Sequence, residues 1–158
     1  MTIFHGSYLP IESPDISFSR NNVDFGKGFY TTPIKEQAAS WASRFKHRRG
    51  QSVVSAYEVD MEYLFESANI LTFEEYSEEW LDFIIACRRG EDLSDYDIVI
   101  GGVANDKVFD TIQLYFDGLI NKSESIKRLR YDNPNMQYCF RSQTVIDKHL
   151  RFLSSEVL

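Results

Sequence analysis

Thr2 to Tyr8 reads as a short strand that carries His5, and the Ser-, Pro- and Asn-rich run Leu9 to Asp24 reads as a long loop, because Pro10 and Pro14 exclude helix. Phe29 to Thr32 is a short aromatic strand that follows a glycine-punctuated turn. Ala38, Trp41, Ala42 and Phe45 then fall at i, i+3, i+4 and i+7, which predicts an amphipathic helix over Ile34 to Lys46, with Thr32 as its cap and Pro33 suited to its first position. Alternation and β-branched residues predict strands at Gln51 to Val59 and Asn69 to Thr72. Thr72 and Glu75 form a capping-box pattern ahead of a helix that turns Tyr76, Trp80, Phe83, Ile84 and Cys87 to one face. Tyr96 to Ile100 is a buried strand ending at Gly101-Gly102. Lys107 to Leu119 is a helix with Val108, Ile112, Tyr115, Phe116 and Leu119 inward, and Asn105 is a fitting cap for it. Ser123 to Arg130 is a further helix, broken by Asn133-Pro134. Met136 to Phe140, Ser142 to Lys148 and His149 to Leu153 read as strand, helix and strand. Strands and helices mix without steady alternation, so the expected class is α+β, with a mixed or antiparallel sheet core and peripheral helices.

Composition narrows the class. The chain has 158 residues and shows neither a repeat nor a linker, so residues 1–158 are expected to form one domain. Its longest apolar run, Phe83 to Cys87, is far shorter than the roughly 20 residues that span a bilayer, and no secretory pattern follows Met1, so a cytoplasmic protein with no membrane partner is expected. Cys87 and Cys139 sit in apolar stretches and read as small hydrophobes, and His5, His47 and His149 lie too far apart for zinc-like spacing, so no metal is implied. The net charge of -7 is uneven: Glu58 to Asp97 holds 13 acidic and 2 basic residues, which leaves the remainder positive. The cluster Arg44, Lys46, His47, Arg48 and Arg49 fits either a phosphate-bearing ligand or a solvated helix end facing the negative pole of the helix dipole.

Gly26-Lys27-Gly28 precedes a helix but lacks both the Walker spacing and the dinucleotide fingerprint. Asp24-Phe25-Gly26 is no kinase signature, since no His-Arg-Asp loop accompanies it. Three segments nonetheless occur in a telling order: His5-Gly6-Ser7 on a strand, Gly26-Lys27-Gly28-Phe29-Tyr30 entering a helix, and Gln137-Tyr138-Cys139-Phe140 on a late strand.

That order resembles the diphtheria-toxin-like, or PARP-like, ADP-ribosyltransferases, whose signature is a His, a Tyr and a Glu on three strands. Together with Ser19-Arg20, Gln37-Ala38, Trp41-Ala42 and Val103-Ala104-Asn105-Asp106, it resembles more closely the bacterial domain-of-unknown-function family 3990, which is grouped with those transferases by fold. The resemblance implies an ADP-ribosyltransferase-like core and a mono-ADP-ribosyltransferase that uses NAD as substrate. The acceptor would be a protein or a nucleic acid. The family's frequent small neighbouring genes imply a toxin paired with an antitoxin-type partner.

By the same resemblance His5, Tyr30 and Gln137 would be the catalytic residues, and His5, Gly6, Ser7, Arg20, Gly26, Gly28, Phe29 and Tyr30 would hold NAD. Gly6 would offer its backbone amide and carbonyl to the nicotinamide amide, and His5 would bind the adenosine ribose. Tyr30, with a second aromatic, would stack on the nicotinamide ring, while Gly26 and Gly28 would give Tyr30 its close approach. Arg20 would match the pyrophosphate with a planar fork of donors. Gln137 stands where the active enzymes carry Glu: it retains a hydrogen bond to the ribose hydroxyl but brings no charge to the developing cation. Asp24, Asn105 and Asp106 are the nearby polar groups that could compensate. The alternative reading of the same substitution is a non-catalytic binding module for a partner protein or a nucleotide.

Overall fold

The computed structural model describes residues 1–130 and 134–158. Their strands form a three-stranded sheet in the order β1 (Thr2–Ser7), β3 (Val53–Glu58), β7 (Arg151–Val157), and a four-stranded sheet in the order β2 (Phe29–Thr31), β6 (Met136–Phe140), β5 (Ile98–Gly102), β4 (Ile70–Thr72). Every pairing is antiparallel except β4 with β5. The class is mixed α+β, as the pattern predicted.

Residue parity along the strands sets the layers. Phe4 and Val54 turn outward against α1 (Lys35–Ser43), where Ala38 and Ala42 are buried. Ile3 and Tyr57 turn inward and meet Phe29, Ile98, Ile100 and Phe140 of the other sheet in an apolar layer closed by Leu64 of α3 (Met61–Ser67) and Ile146 of α7 (Gln143–His149). The far face of the four-stranded sheet, with Val99 and Cys139, carries α4 (Glu78–Arg88), α5 (Asp106–Phe116) and α6 (Lys122–Leu129) over Trp80, Ile84, Val108, Ile112 and Leu129. Both cysteines are buried and unpaired, in keeping with their reading as small hydrophobes.

Several boundaries differ from the sequence reading. Thr72 belongs to β4 rather than capping α4; the cap is Ser77, whose side chain accepts from the Trp80 amide. The helix α1 begins only at Lys35, with Ile34 rather than Thr32 at its N-cap; the Thr32 hydroxyl donates to the Met136 carbonyl and accepts from the Ile34 amide, one turn short of the helix. A short helix, α2 (Lys46–Arg49), continues from it and ends at Gly50, whose φ of +85° suits a residue without a side chain. Leu119 lies beyond the end of α5 and is exposed rather than inward. The helix α3 is absent from the sequence reading although Met61, Leu64, Phe65 and Ala68 fall at i, i+3, i+4 and i+7, and Asp60 caps it. Asn105 caps α5 as expected, accepting from the Val108 amide at 3.0 Å. The Asn133 half of the expected Asn133-Pro134 break lies outside the described residues.

Candidate functional site

The two sheets meet where Phe4 of β1 pairs with Thr32, just past the end of β2, through hydrogen bonds of 2.8 and 2.9 Å. An antiparallel ladder would next pair Gly6 with Tyr30. Instead the Tyr30 carbonyl accepts a hydrogen bond from His5 Nδ1 at 2.7 Å. Gly6 is left with its N–H and C=O directed, by alternation, toward the gap between the strands, and neither has a partner off the β1/β3 ladder among the described residues. Its Cα faces the other way, against α1: a Cβ built there would lie 2.1 Å from the Ala38 carbonyl oxygen. Close helix packing, as well as backbone access, therefore requires glycine at this position.

A cleft of about 1100 Å³ opens from this gap. His5, Gly6, Arg20, Tyr30 and Gln137 all line it, although they lie on β1, the Leu9 to Asp24 loop, β2 and β6. The other predicted contacts do not. Ser7 is buried beyond Gly6, and Phe29 turns into the inter-sheet core, where its ring stacks on His5 at 4.3 Å. Gly28 is packed against Cys139 and the Phe140 backbone, its N–H donating to Ser19 Oγ at 2.9 Å. Gly26, with φ +76°, faces a separate cavity of about 700 Å³ on the side of Asp92 and Arg141. Gly26 and Gly28 thus shape the turn before Tyr30, and they stand behind the cleft wall.

Each cleft side chain is fixed by its neighbours. The Tyr30 hydroxyl accepts from the Phe25 amide at 2.9 Å and donates to the Gly26 carbonyl at 2.6 Å, so its ring is held and burial keeps the phenol protonated. Phe25 itself is fully buried, and a ring so placed contributes about 1.5–3 kcal/mol toward pinning the loop. Gln137 is 4% exposed; its amide donates to the Gly102 carbonyl at 3.4 Å, and its Oε1 has no partner among the described residues. An acceptor oxygen is therefore free on the cleft side.

His5 is held neutral. Burial lowers its pKa from 6.5 to about 4, outweighing the Tyr30 carbonyl that favours the charged ring. With Nδ1 donating to that carbonyl, the neutral ring leaves Nε2 as an acceptor. Because the unfolded chain takes up this proton near 6.5 and the folded chain only near 4, stability rises with pH across that interval and falls on acidification. Melting temperatures taken between pH 6.5 and about 5 should fall by several degrees for wild type and less for His5→Gln. Equal slopes would show that His5 is not the group responsible.

Sequence reading missed part of this wall. Trp41 and Phe45 carry the apolar period of α1, yet both line the cleft with Arg44 and Arg48. Their spacing marks a common helix face; what the period could not reveal is that this face is left open. From the acidic stretch Glu58 to Asp97 only Arg88 reaches the cleft, where both its Nε and an Nη donate to Asp24, at 3.0 and 2.7 Å. Among the three polar residues expected to compensate, Asp24 is thus engaged by Arg88 and Asn105 by its helix. Asp106 alone faces the cleft without a partner among the described residues. Four arginines against two aspartates make the lining cationic within an acidic chain.

Fold and cleft together define a mixed α+β protein with a site, opened between two sheets, suited to a ligand that carries negative charge and flat rings. The chain belongs to the family described as protein of unknown function, DUF3990, whose model matches residues 1–152. No curated protein and no solved structure matches it. Among the described residues no helix is long and apolar enough to cross a membrane.

Proposed function

We propose that the protein is an NAD-dependent mono-ADP-ribosyltransferase with an ADP-ribosyltransferase-like core. The observation that carries this reading is the convergence of His5, Gly6, Tyr30 and Gln137, distant in sequence, on one cleft. Gly6 offers an unpaired N–H and C=O, complementary to a primary carboxamide such as that of nicotinamide. The held ring of Tyr30 and the indole of Trp41 offer flat faces for the pyridine ring. His5 Nε2 accepts from a ribose hydroxyl, as does Gln137 Oε1. Arg20, exposed and without an ion-pair partner among the described residues, suits the pyrophosphate.

NAD supplies the activated glycosidic bond: the acceptor's lone pair bonds to the ribose carbon, nicotinamide leaves as a neutral molecule with the electrons of the broken bond, and the acceptor's proton passes to water. The protein's share is to fix both sugars and exclude competing orientations. Asp106 is the carboxylate placed to supply part of the negative charge that Gln137 lacks. In a cell, unchecked transfer would be toxic, which fits a small antitoxin-type partner.

Incubation with labelled NAD and a cell lysate tests the reading. Wild type should label a target, and Tyr30→Ala and His5→Ala should each reduce labelling by about a hundredfold or more. Undiminished labelling in both variants would sink the site assignment. Absence of both labelling and NAD binding at millimolar concentration would favour the binding-module reading that the neutral Gln137 motivates.

A further inference from the structure

One wall of the cleft runs along α1 and α2. Trp41, Arg44, Phe45 and Arg48 follow one another along one side of the α1–α2 segment and all line it. Arg44 and Arg48 are exposed and have no ion-pair partner among the described residues. Local repulsion of a polyanion is absent as well: no Asp or Glu occurs from residue 37 to 57, while Arg44, Lys46, Arg48 and Arg49 do. The Phe45 ring lies 5.5 Å from that of Tyr8, and the Arg49 guanidinium sits 4.8 Å from the centre of the Tyr8 ring. Cations and flat aromatic faces therefore alternate on a ledge continuous with the site.

We infer that this ledge seats the acceptor, and that the acceptor is a single-stranded nucleic acid. The inference rests on the transferase reading for what happens to the strand, though not for its binding. Phosphates spaced along a strand match separated arginines, and unstacked bases match Phe45 and Tyr8; an acidic protein would use the charges and have no need of the rings. Duplex is disfavoured because its bases are paired and stacked on one another, which leaves none free to lie on the Phe45 ring. In the transfer written above, the lone pair then comes from an atom of a base of that strand.

The test measures strand binding and NAD binding separately. A fluorescent oligothymidylate of about 12 nucleotides, titrated without NAD and followed by anisotropy, reports the ledge. NAD is followed by quenching of tryptophan emission, which reports Trp41 because the other tryptophan, Trp80, is fully buried. Arg44→Ala/Arg48→Ala should weaken oligonucleotide binding about 10–100-fold and lower the slope of log affinity against log salt by about 1.4, while leaving NAD quenching unchanged. Arg44→Lys/Arg48→Lys should restore the slope, and Phe45→Ala should weaken binding about 5–100-fold with the slope intact. The inference is overturned if the wild type does not bind the strand at low salt, or if the double alanine variant binds it equally. It is overturned too if polyglutamate binds as tightly as the strand and Phe45→Ala affects neither, or if NAD quenching is lost with the two arginines, which would make them part of the NAD site. Strand binding without NAD quenching would remove the transferase reading and leave the ledge; NAD quenching without strand binding would do the reverse.

Discussion

Gly6→Ala is expected to lower the melting temperature by about 6–12 °C, because an added Cβ approaches its neighbours more closely here than at any other glycine of the chain. The added carbon would sit 2.1 Å from the Ala38 carbonyl oxygen and 2.8 Å from the Ala42 amide nitrogen. Both are backbone atoms of α1, so no side-chain rotation relieves the clash, and the helix must move off β1. Overpacking of this kind costs about 3 kcal/mol, which for a chain of this size corresponds to the stated shift. Movement of α1 carries Trp41 with it, so NAD quenching should weaken in the same variant. Ser40→Ala, on the exposed side of the same helix, should melt within about 1 °C of wild type. Thermal unfolding followed by circular dichroism decides it; if Gly6→Ala melts like Ser40→Ala, the close approach of α1 to β1 is wrong.

Gln137→Glu should give the largest gain in activity. In the proposed transferase, a carboxylate at this position would stand beside the reacting ribose and place negative charge where positive charge develops, and such placement is worth about 10–100-fold in rate. That gain should depend on pH. The side chain is 4% exposed and faces the Gly102 carbonyl, so burial and the carbonyl both favour a protonated acid, raising its pKa above the ordinary glutamate value of about 4.3. Activity of the variant should therefore climb as pH rises through that raised pKa, with wild type lacking this limb. Below it the protonated side chain donates a hydrogen bond to the Gly102 carbonyl and the variant behaves like wild type. The ionised side chain, buried opposite a carbonyl, should also cost about 1–3 kcal/mol of stability at high pH. Nicotinamide release measured from about pH 5 to pH 9 provides the test: a rate unchanged throughout would mean that residue 137 does not face the reacting sugar.

The parts of this architecture that are local in origin could be read from the chain. β1, β3 and β6 announce themselves by apolar and β-branched residues, and Asn105 by the side-chain cap it provides. Thr72 shows where local signals fail: its capping box is sound, but β4 pairs with β5 through Leu71 and Thr72, and the Phe73 amide bonds to Ile100, so strand pairing overrides the cap. The division into two sheets depends on β7 joining β3 across roughly a hundred residues of chain, and no periodicity encodes that. Site residues followed the same rule. His5, Gly6, Tyr30 and Gln137 stand in short motifs on strands and could be singled out, whereas Trp41 and Phe45 carry the period of a core helix. Arg88 lies within the most acidic part of the chain, and only folding brings it to Asp24.

The hydrogen bond from His5 to the Tyr30 carbonyl has a consequence for how the site stays open. A neighbouring strand edge with free donors and acceptors tends to zip shut, and Gly6 and Tyr30 stand one step along from the Phe4 and Thr32 pair that has already closed. The imidazole acts as a doorstop: by satisfying the Tyr30 carbonyl from a side chain, it denies Gly6 its natural strand partner and holds the two edges apart. Under the proposed function, ribose recognition by Nε2 and the gap held open by Nδ1 then depend on opposite ends of one ring.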